Sequence, residues 1–202
     1  MTVTGCLAFA VAGPSGAATI FTDGLLGTQN TGIDNSNSFD ITEDGTTLTL
    51  ATTVAGDIFN ITTTGTGIEG GVGNLGDSDF NLEKGEDFTL SFSSAGTLDS
   101  ITIQTLALQP TPDTLQITFT NTDSGAAAVV QDLAISGGAE AGVVVSVGLS
   151  FDIGESITVA ITNPVSVDSD LRLQAVTATI PEPGSMVLSL SGAALMLFRR
   201  RK

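Results

Sequence analysis

The sequence predicts an all-β protein, an antiparallel β-sandwich of jelly-roll-like type with a short hydrophobic helix at the C-terminal end. Three observations indicate this fold for residues 19–180. Short segments rich in Thr, Val, Ile and Phe are separated by Gly, Asp and Asn. Several segments alternate apolar and polar residues with a period of two. No capped amphipathic helix of three turns occurs in this span, so about nine or ten short strands are expected.

The alternation is clearest at 88–92, 101–103, 115–119 and 157–161, and further strands are predicted at 47–54, 58–63, 127–133, 143–149 and 171–180. Most of these segments place apolar residues on one face and Thr, Ser or Gln on the other, as antiparallel strands do. In the last segment the apolar positions change phase between Leu173 and Val176, which predicts a bulge. The Gly-rich spans 65–76 and 137–142 are predicted to be mobile loops.

Composition excludes much chemistry. The chain has no His, no Trp, no Tyr and one Cys, so Ser-His-Asp and Cys-His catalytic groups and His-ligated zinc are absent. The net charge is −16, which argues against nucleic-acid binding because phosphates are neutralised by Lys and Arg. The charge is unevenly distributed, since four of the six basic residues lie at 199–202 and 21 of the 22 acidic residues lie in 1–180.

The N-terminal segment 1–18 is uncharged and contains a short apolar centre at 3–12. Gly16 and Ala18 are small enough for the −3 and −1 positions of a signal-peptidase site, so we expect a secretory signal peptide that is cut near Ala18. A basic n-region is missing, which leaves open an upstream start or an N-terminal strand. Loss of the segment would remove Cys6, and the mature protein would then have no disulfide and no thiolate metal site.

The C-terminal segment has three parts in order. Pro181 and Pro183 flank Glu182 and cannot extend a strand, so the folded domain should end near Ile180. The uncharged segment 186–198 follows and is shorter than the roughly 20 residues of an ordinary spanning helix. The segment is followed by four cationic residues that favour the cytoplasmic side of a membrane: Arg199, Arg200, Arg201 and Lys202.

This order resembles the PEP-CTERM sorting signal of Gram-negative bacteria, and the resemblance covers 181–202 only. It implies that a membrane-embedded exosortase recognises Pro181, Glu182 and Pro183. It also implies that 186–198 is the membrane segment before processing and that the basic cluster retains it. The resulting organisation is a signal peptide at 1–18, a β domain at 19–180 and a sorting signal at 181–202. The implied destination is the cell envelope, the cell surface or the extracellular matrix.

Carboxylates and amides cluster at 34–44, 77–83 and 168–170, where oxygen ligands could converge on Ca²⁺. The best calcium candidate is formed by Asp77, Asp79, Asn81 and Glu83. It departs from the EF-hand pattern, because Leu82 stands where that loop needs Gly. The alternative is a set of solvated turns with Asx hydrogen bonds. No cofactor other than calcium is suggested by the sequence.

The function expected from these features is that of a secreted, non-catalytic surface or extracellular-matrix protein. A carbohydrate-binding or adhesive module, with or without calcium, is the alternative. It lacks the Trp and Tyr platforms that commonly stack on sugars, and Phe88, Phe92 and Phe119 are predicted to be core residues. A glycan hydrolase working with two carboxylates is the weakest alternative, because no acid lies in a recognisable motif. Extracellular polysaccharide is therefore a candidate partner and nucleic acid is not.

Overall fold

A computed structural model of the chain describes residues 16–22, 25, 36–62, 65–69, 82, 86–107, 113–135, 140–162 and 169–181. Within these residues the chain forms strands and no helix. In chain order the strands are β1 (Gly16–Phe21), β2 (Ser38–Glu43), β3 (Thr46–Thr52), β4 (Ile58–Thr62), β5 (Gly65–Glu69), β6 (Phe88–Phe92), β7 (Gly96–Ala107), β8 (Asp113–Asn121), β9 (Val129–Ile135), β10 (Glu140–Phe151), β11 (Ser156–Thr162) and β12 (Ser169–Pro181). The prediction of an all-β fold is confirmed.

The strands form two antiparallel sheets of six strands each. The first sheet has the order β10-β7-β12-β5-β4, and β1 also pairs with β12. The second sheet has the order β2-β3-β6-β11-β8-β9. One compact unit, Ala18–Ile180, contains nearly all of both sheets.

One hydrophobic core receives side chains from both sheets, and phenylalanines connect them directly. Phe92 of the second sheet stacks on Phe151 of the first, with ring centroids 4.2 Å apart. Phe92 also meets Phe21 of β1 edge to face at 5.8 Å. Phe59 of β4 contacts both Phe39 and Phe88 of the second sheet edge to face. Each buried ring contributes about 1.5–3 kcal/mol of transfer free energy, so these pairs fix the two sheets against each other.

The predicted bulge in β12 is confirmed. Leu173 pairs with Ile103 and Ala175 pairs with Thr102, so Gln174 is an extra residue in β12 at this point. The inward-facing positions therefore change phase, and both Leu173 and Val176 are buried in the core.

The predicted loop at 65–76 is wrong at its beginning, because residues 65–69 form β5. Gly65 serves close backbone approach: a Cβ at this position would lie 2.7 Å from Cβ of Arg172 and 2.9 Å from the carbonyl oxygen of Leu173. Glycine at this position allows β5 to pair with β12, so the segment is a strand and not the predicted loop. The predicted loop at 137–142 is wrong at its end, since β10 begins at Glu140 and Gly142 lies at an irregularity in that strand.

The count of nine or ten strands is also too low, since twelve occur in the described residues, and β1, β2 and β5 are the additional ones. The hairpin from β2 to β3 turns through Asp44 and Gly45, whose φ angles are 49° and 76°. Two consecutive positive φ values are typical of a type I′ turn, which suits the twist of a two-residue hairpin.

In the described part of the chain, no helix has the length and apolar character needed to cross a membrane. The expected C-terminal helix, the membrane segment 186–198 and residues 1–15 of the expected signal peptide lie outside the described residues. Gly16–Ala18, at the end of that expected signal peptide, form the first half of β1.

Candidate functional site

The sequence-predicted site residues fall mostly outside the described part of the chain. Pro181 is described and is the half-buried last residue of β12, so the strand extends one residue beyond the end expected at Ile180. The other sorting and calcium candidates lie outside the described residues: Glu182, Pro183, Arg199, Arg200, Arg201, Lys202, Asp77, Asp79, Asn81 and Glu83. The sorting motif and the calcium site therefore remain predictions.

Leu82, within the calcium candidate segment, is described and belongs to the core. Its side chain is 3% exposed. Its backbone N–H donates to the carbonyl oxygen of Leu171 at 2.6 Å, and the N–H of Leu171 donates back at 3.0 Å. Leu82 is thus paired with Leu171 of β12 through its backbone. Among the described residues, no group of three or more Asp, Glu or Cys side chains is arranged to hold a metal ion.

The outer side of the second sheet carries a regular array of hydroxyl groups. Four adjacent strands, β3, β6, β11 and β8, each place two hydroxyl residues on this side at positions i and i+2. We call this set the hydroxyl face: Thr47, Thr49, Thr89, Ser91, Ser156, Thr158, Thr118 and Thr120. All of its residues are half-buried, and the intervening residues point into the core.

Strand register aligns these hydroxyls in rows across the sheet. One row runs from Thr49 to Ser91 and on to Ser156. A parallel row runs from Thr89 to Thr158 and Thr120. Neighbouring strands lie about 4.8 Å apart and alternate residues about 6.7 Å apart, which sets the spacing of the array. The face therefore presents hydroxyl and methyl groups at nearly periodic positions.

Several of these hydroxyls are oriented by neighbours within the sheet. The hydroxyl oxygens of Ser91 and Ser156 lie 2.8 Å apart and share one hydrogen bond between the two strands. The Thr49 hydroxyl donates to Oδ1 of Asp40 at 2.6 Å, and the Thr89 hydroxyl donates to the carbonyl oxygen of Ala51 at 3.3 Å. A hydroxyl that donates its proton keeps acceptor capacity. The Thr49 and Thr89 oxygens can therefore accept hydrogen bonds from a ligand or from water.

Among the described residues, charged side chains lie at the margins of the hydroxyl face. Asp40 lies on edge strand β2, and exposed Asp132 lies on edge strand β9, where it accepts a hydrogen bond from Gln116 at 3.0 Å. Half-buried Asp87 precedes β6. Burial raises the pKa of the Asp87 carboxyl, and a hydrogen bond from the backbone N–H of Ile161 partly offsets that rise. The centre of the face is uncharged in a strongly acidic protein.

A separate polar cluster cross-links two turns at one end of the molecule. Asn121, 1% exposed, donates through Nδ2 to Oε2 of Glu155 at 2.8 Å. Its Oδ1 accepts from the N–H groups of Asp123 and Ser124 at 3.2 and 3.1 Å. Glu155 also accepts from the N–H of Asp152 at 2.8 Å. These hydrogen bonds, that from Asn121 first, lower the pKa of Glu155. Sequence reasoning missed this cluster, although the Asn-Thr-Asp-Ser-Gly run at 121–125 is a turn signal.

The aromatic side chains are not available on the described surface. All seven described phenylalanines are buried: Phe21, Phe39, Phe59, Phe88, Phe92, Phe119 and Phe151. The prediction that Phe88, Phe92 and Phe119 are core residues is confirmed. A sugar bound to the described surface would therefore be held by hydrogen bonds and methyl contacts rather than by stacking.

No protein-family model, no curated protein and no solved structure was found to match this chain. Its function is therefore inferred from its own residues.

Proposed function

We propose that this chain is a secreted, non-catalytic protein of the cell surface or extracellular matrix, sorted by an exosortase-type system, with a jelly-roll-like β-sandwich as its body. The observation that carries the proposal is the order of the tail. Pro181, Glu182 and Pro183 are followed by the apolar segment 186–198 and then by the basic cluster 199–202. The two sheets and their shared core support the proposed sandwich.

The end of the last strand is compatible with such a signal. β12 ends at Pro181, so Glu182 follows the folded body directly in sequence. Proline has no backbone N–H and disfavours helix in the residue before it, which favours an extended Pro-Glu-Pro peptide. The body contributes little positive charge, whereas the basic cluster would favour the cytoplasmic side of the membrane and hold the tail there.

The test is to replace Glu182 with Gln in the native host and to measure the intact mass of surface-released protein. Processing should be lost in this variant, while wild-type protein should lack the residues beyond the Pro-Glu-Pro motif. Glu43→Gln is the matched control, because it makes the same chemical change at a half-buried residue of β2. Released wild-type protein that still contains 186–202 would identify the tail as a plain membrane anchor and refute sorting.

The hydroxyl face favours a second candidate function, the binding of a neutral polysaccharide. Its uncharged rows match a ligand rich in hydroxyl groups, and its acidic margins would repel acidic polymers. Each neutral hydrogen bond contributes only about 0.5–1.5 kcal/mol net, so each contact would be weak. Binding would therefore depend on many contacts along a long polysaccharide. This mode needs no calcium, whereas a calcium-dependent module would lose binding in chelator.

Binding to a polysaccharide array, with variants of the hydroxyl face, tests this candidate function. Thr158→Val removes a hydroxyl at the centre of the face and preserves side-chain shape, and Thr102→Val makes the same change on the first sheet. Weaker binding to neutral polysaccharides in the first variant alone would support the candidate. Equal binding by both variants would refute it. Release of new reducing ends from the bound polysaccharide would indicate a hydrolase instead.

A further inference from the structure

The orders of the two sheets end at four strands, β10, β4, β2 and β9, and the first three carry features that oppose further pairing. β10 shifts register twice along β7, and such irregularities make an edge a poor template for another strand. β4 is covered where the N–H of Phe59 donates to the carbonyl oxygen of Ser36 at 2.8 Å. β2 carries Asp40 and Glu43, so a second strand of the same sequence would bring carboxylates together.

β9 lacks these features. It keeps a continuous register with β8 over its whole length, and it contains neither Gly nor Pro. Asp132 is its one charged residue. On the solvent side of the sheet Val130 is 50% exposed, whereas Val129 and Leu133 pack partly against the core on the other side. No strand in the described part of the chain pairs with the outer edge of β9. A regular edge of this kind can accept another strand.

We infer that β9 pairs antiparallel with β9 of a second copy of this chain, about a two-fold axis perpendicular to the sheet. Two identical antiparallel strands are self-complementary about such an axis, so one surface suffices for both copies. The axis keeps the solvent sides of the two sheets on the same side, and residues directly opposite each other then share a face. The inference goes beyond the proposed function and does not depend on export.

The side chains of β9 favour one register. With the axis at Val130, this residue lies opposite Val130 of the second copy, and the two form an apolar pair. Asp132 then lies opposite Ala128 of the second copy. The two Asp132 residues are offset by four positions, about 14 Å along the strands, which exceeds the Debye length of about 8 Å at physiological salt. An axis at Asp132 would instead place two carboxylates directly opposite each other, which is unfavourable.

This pairing would join two sheets of six strands into one continuous sheet with both hydroxyl faces on the same side. Thr118 and Thr120 lie on β8, next to β9, so the two faces would be separated only by the paired edges. A long ligand could then contact both faces at once. The net charge of −16 makes the two copies repel each other, so association should strengthen as salt screens this repulsion.

The test is the mass of the full chain in solution, purified with detergent because of the apolar segment 186–198 and measured by light scattering. Wild-type protein should dimerise as its concentration rises, and more strongly at high NaCl. Val130→Glu places like charges opposite each other and should raise the dimer dissociation constant about tenfold or more. Val54→Glu is the matched control and should dimerise as wild type does, because this valine has a similar exposure, 46%, and lies outside β9.

Disulfide trapping gives an independent measurement. With Cys6→Ser as background, Val130→Cys should form covalent dimers on mild oxidation, because Cβ atoms of directly opposite residues lie about 4.5–5.5 Å apart. Val54→Cys should stay largely monomeric. Wild-type protein that is monomeric at every concentration and salt overturns the inference and leaves the proposed function intact. A folded Val130→Glu variant that dimerises like wild type also overturns it. If Val130→Glu lowers the melting temperature, the disulfide result decides.

Discussion

The two sheets differ in regularity. Each described strand pair of the second sheet keeps a continuous register. In the first sheet, the pairing of β10 with β7 shifts twice, and the pairing of β12 with β7 also shifts twice. Bulges bend and twist a strand, whereas an uninterrupted register keeps alternate side chains in rows. The hydroxyl face is consequently a property of the second sheet, and its rows depend on register as much as on residue type.

Glycines show the same contrast. In the first sheet, Gly142 and Gly148 have positive φ at the shifted positions of edge strand β10, and Gly65 permits close approach of β5 to β12. In the second sheet, Gly45 serves a tight hairpin turn outside the strands. Bulges in β10 also make this long edge strand a poorer template for pairing with another chain.

The largest effect should come from the residue that joins the sheets. Phe92→Ala removes a ring that contacts Phe21 and Phe151, and we expect a loss of about 3–5 kcal/mol in the free energy of unfolding. Urea denaturation measures it. Ile20→Ala is the control, because that side chain is largely exposed and should change stability by less than about 0.5 kcal/mol. Equal losses in the two variants would contradict the proposed role of the ring.

Gly65→Ala tests close approach in the first sheet. The added Cβ would meet Cβ of Arg172 and the carbonyl oxygen of Leu173, at a residue with φ of 148°. Overpacking and backbone strain together should reduce stability by about 2–3 kcal/mol. Gly45→Asn should be nearly neutral, since asparagine tolerates the positive φ of this turn. Thermal denaturation of both variants measures these effects. If Gly65→Ala leaves the melting temperature unchanged, β5 can move away from β12.

Asn121→Ala tests the cross-linked turns, and it should destabilise the protein by about 1–2 kcal/mol, because buried Asn121 loses its part-buried hydrogen bonds. The effect should depend on pH. The folded-state pKa of Glu155 is lowered, so its stabilising contribution is present above its unfolded pKa and is lost as pH falls through the folded pKa. The difference between wild type and variant should therefore narrow in acid. A difference independent of pH would show that Glu155 takes no part.

Asp87→Asn should have the smallest effect and the opposite sign. Burial raises the pKa of Asp87, so its ionised form destabilises the folded state at neutral pH. Asparagine removes the charge and keeps an oxygen that can accept from the N–H of Ile161. The melting temperature should rise slightly at pH 7 and stay unchanged below the unfolded pKa, where the wild-type carboxyl is already neutral in both states. A decrease at pH 7 would indicate that the charge itself is needed.

Sequence patterns located most of the second sheet because its strands are amphipathic and regular. The segment predicted at 88–92 coincides with β6, and 157–161 lies within β11. β2 lies outside the predicted strands because its acidic residues are typical of turns, although Asp44-Gly45 between alternating segments is a strong hairpin signal. β5 also lies outside the predicted strands, because Gly usually weakens a strand. Gly65 serves a close approach to Arg172, which is far away in sequence.

The fold class, the burial of Phe88, Phe92 and Phe119 and the bulge in β12 are predictable from the sequence, because period-two alternation and its change of phase are local properties of the chain. Only tertiary structure determines which strands are neighbours. Thr49, Ser91 and Ser156 are far apart in sequence and share one row only through pairing. It also decided that Asn121 meets Glu155 and that Thr19 is buried. Strand order and burial arise from long-range packing of many side chains, and no local periodicity encodes that packing.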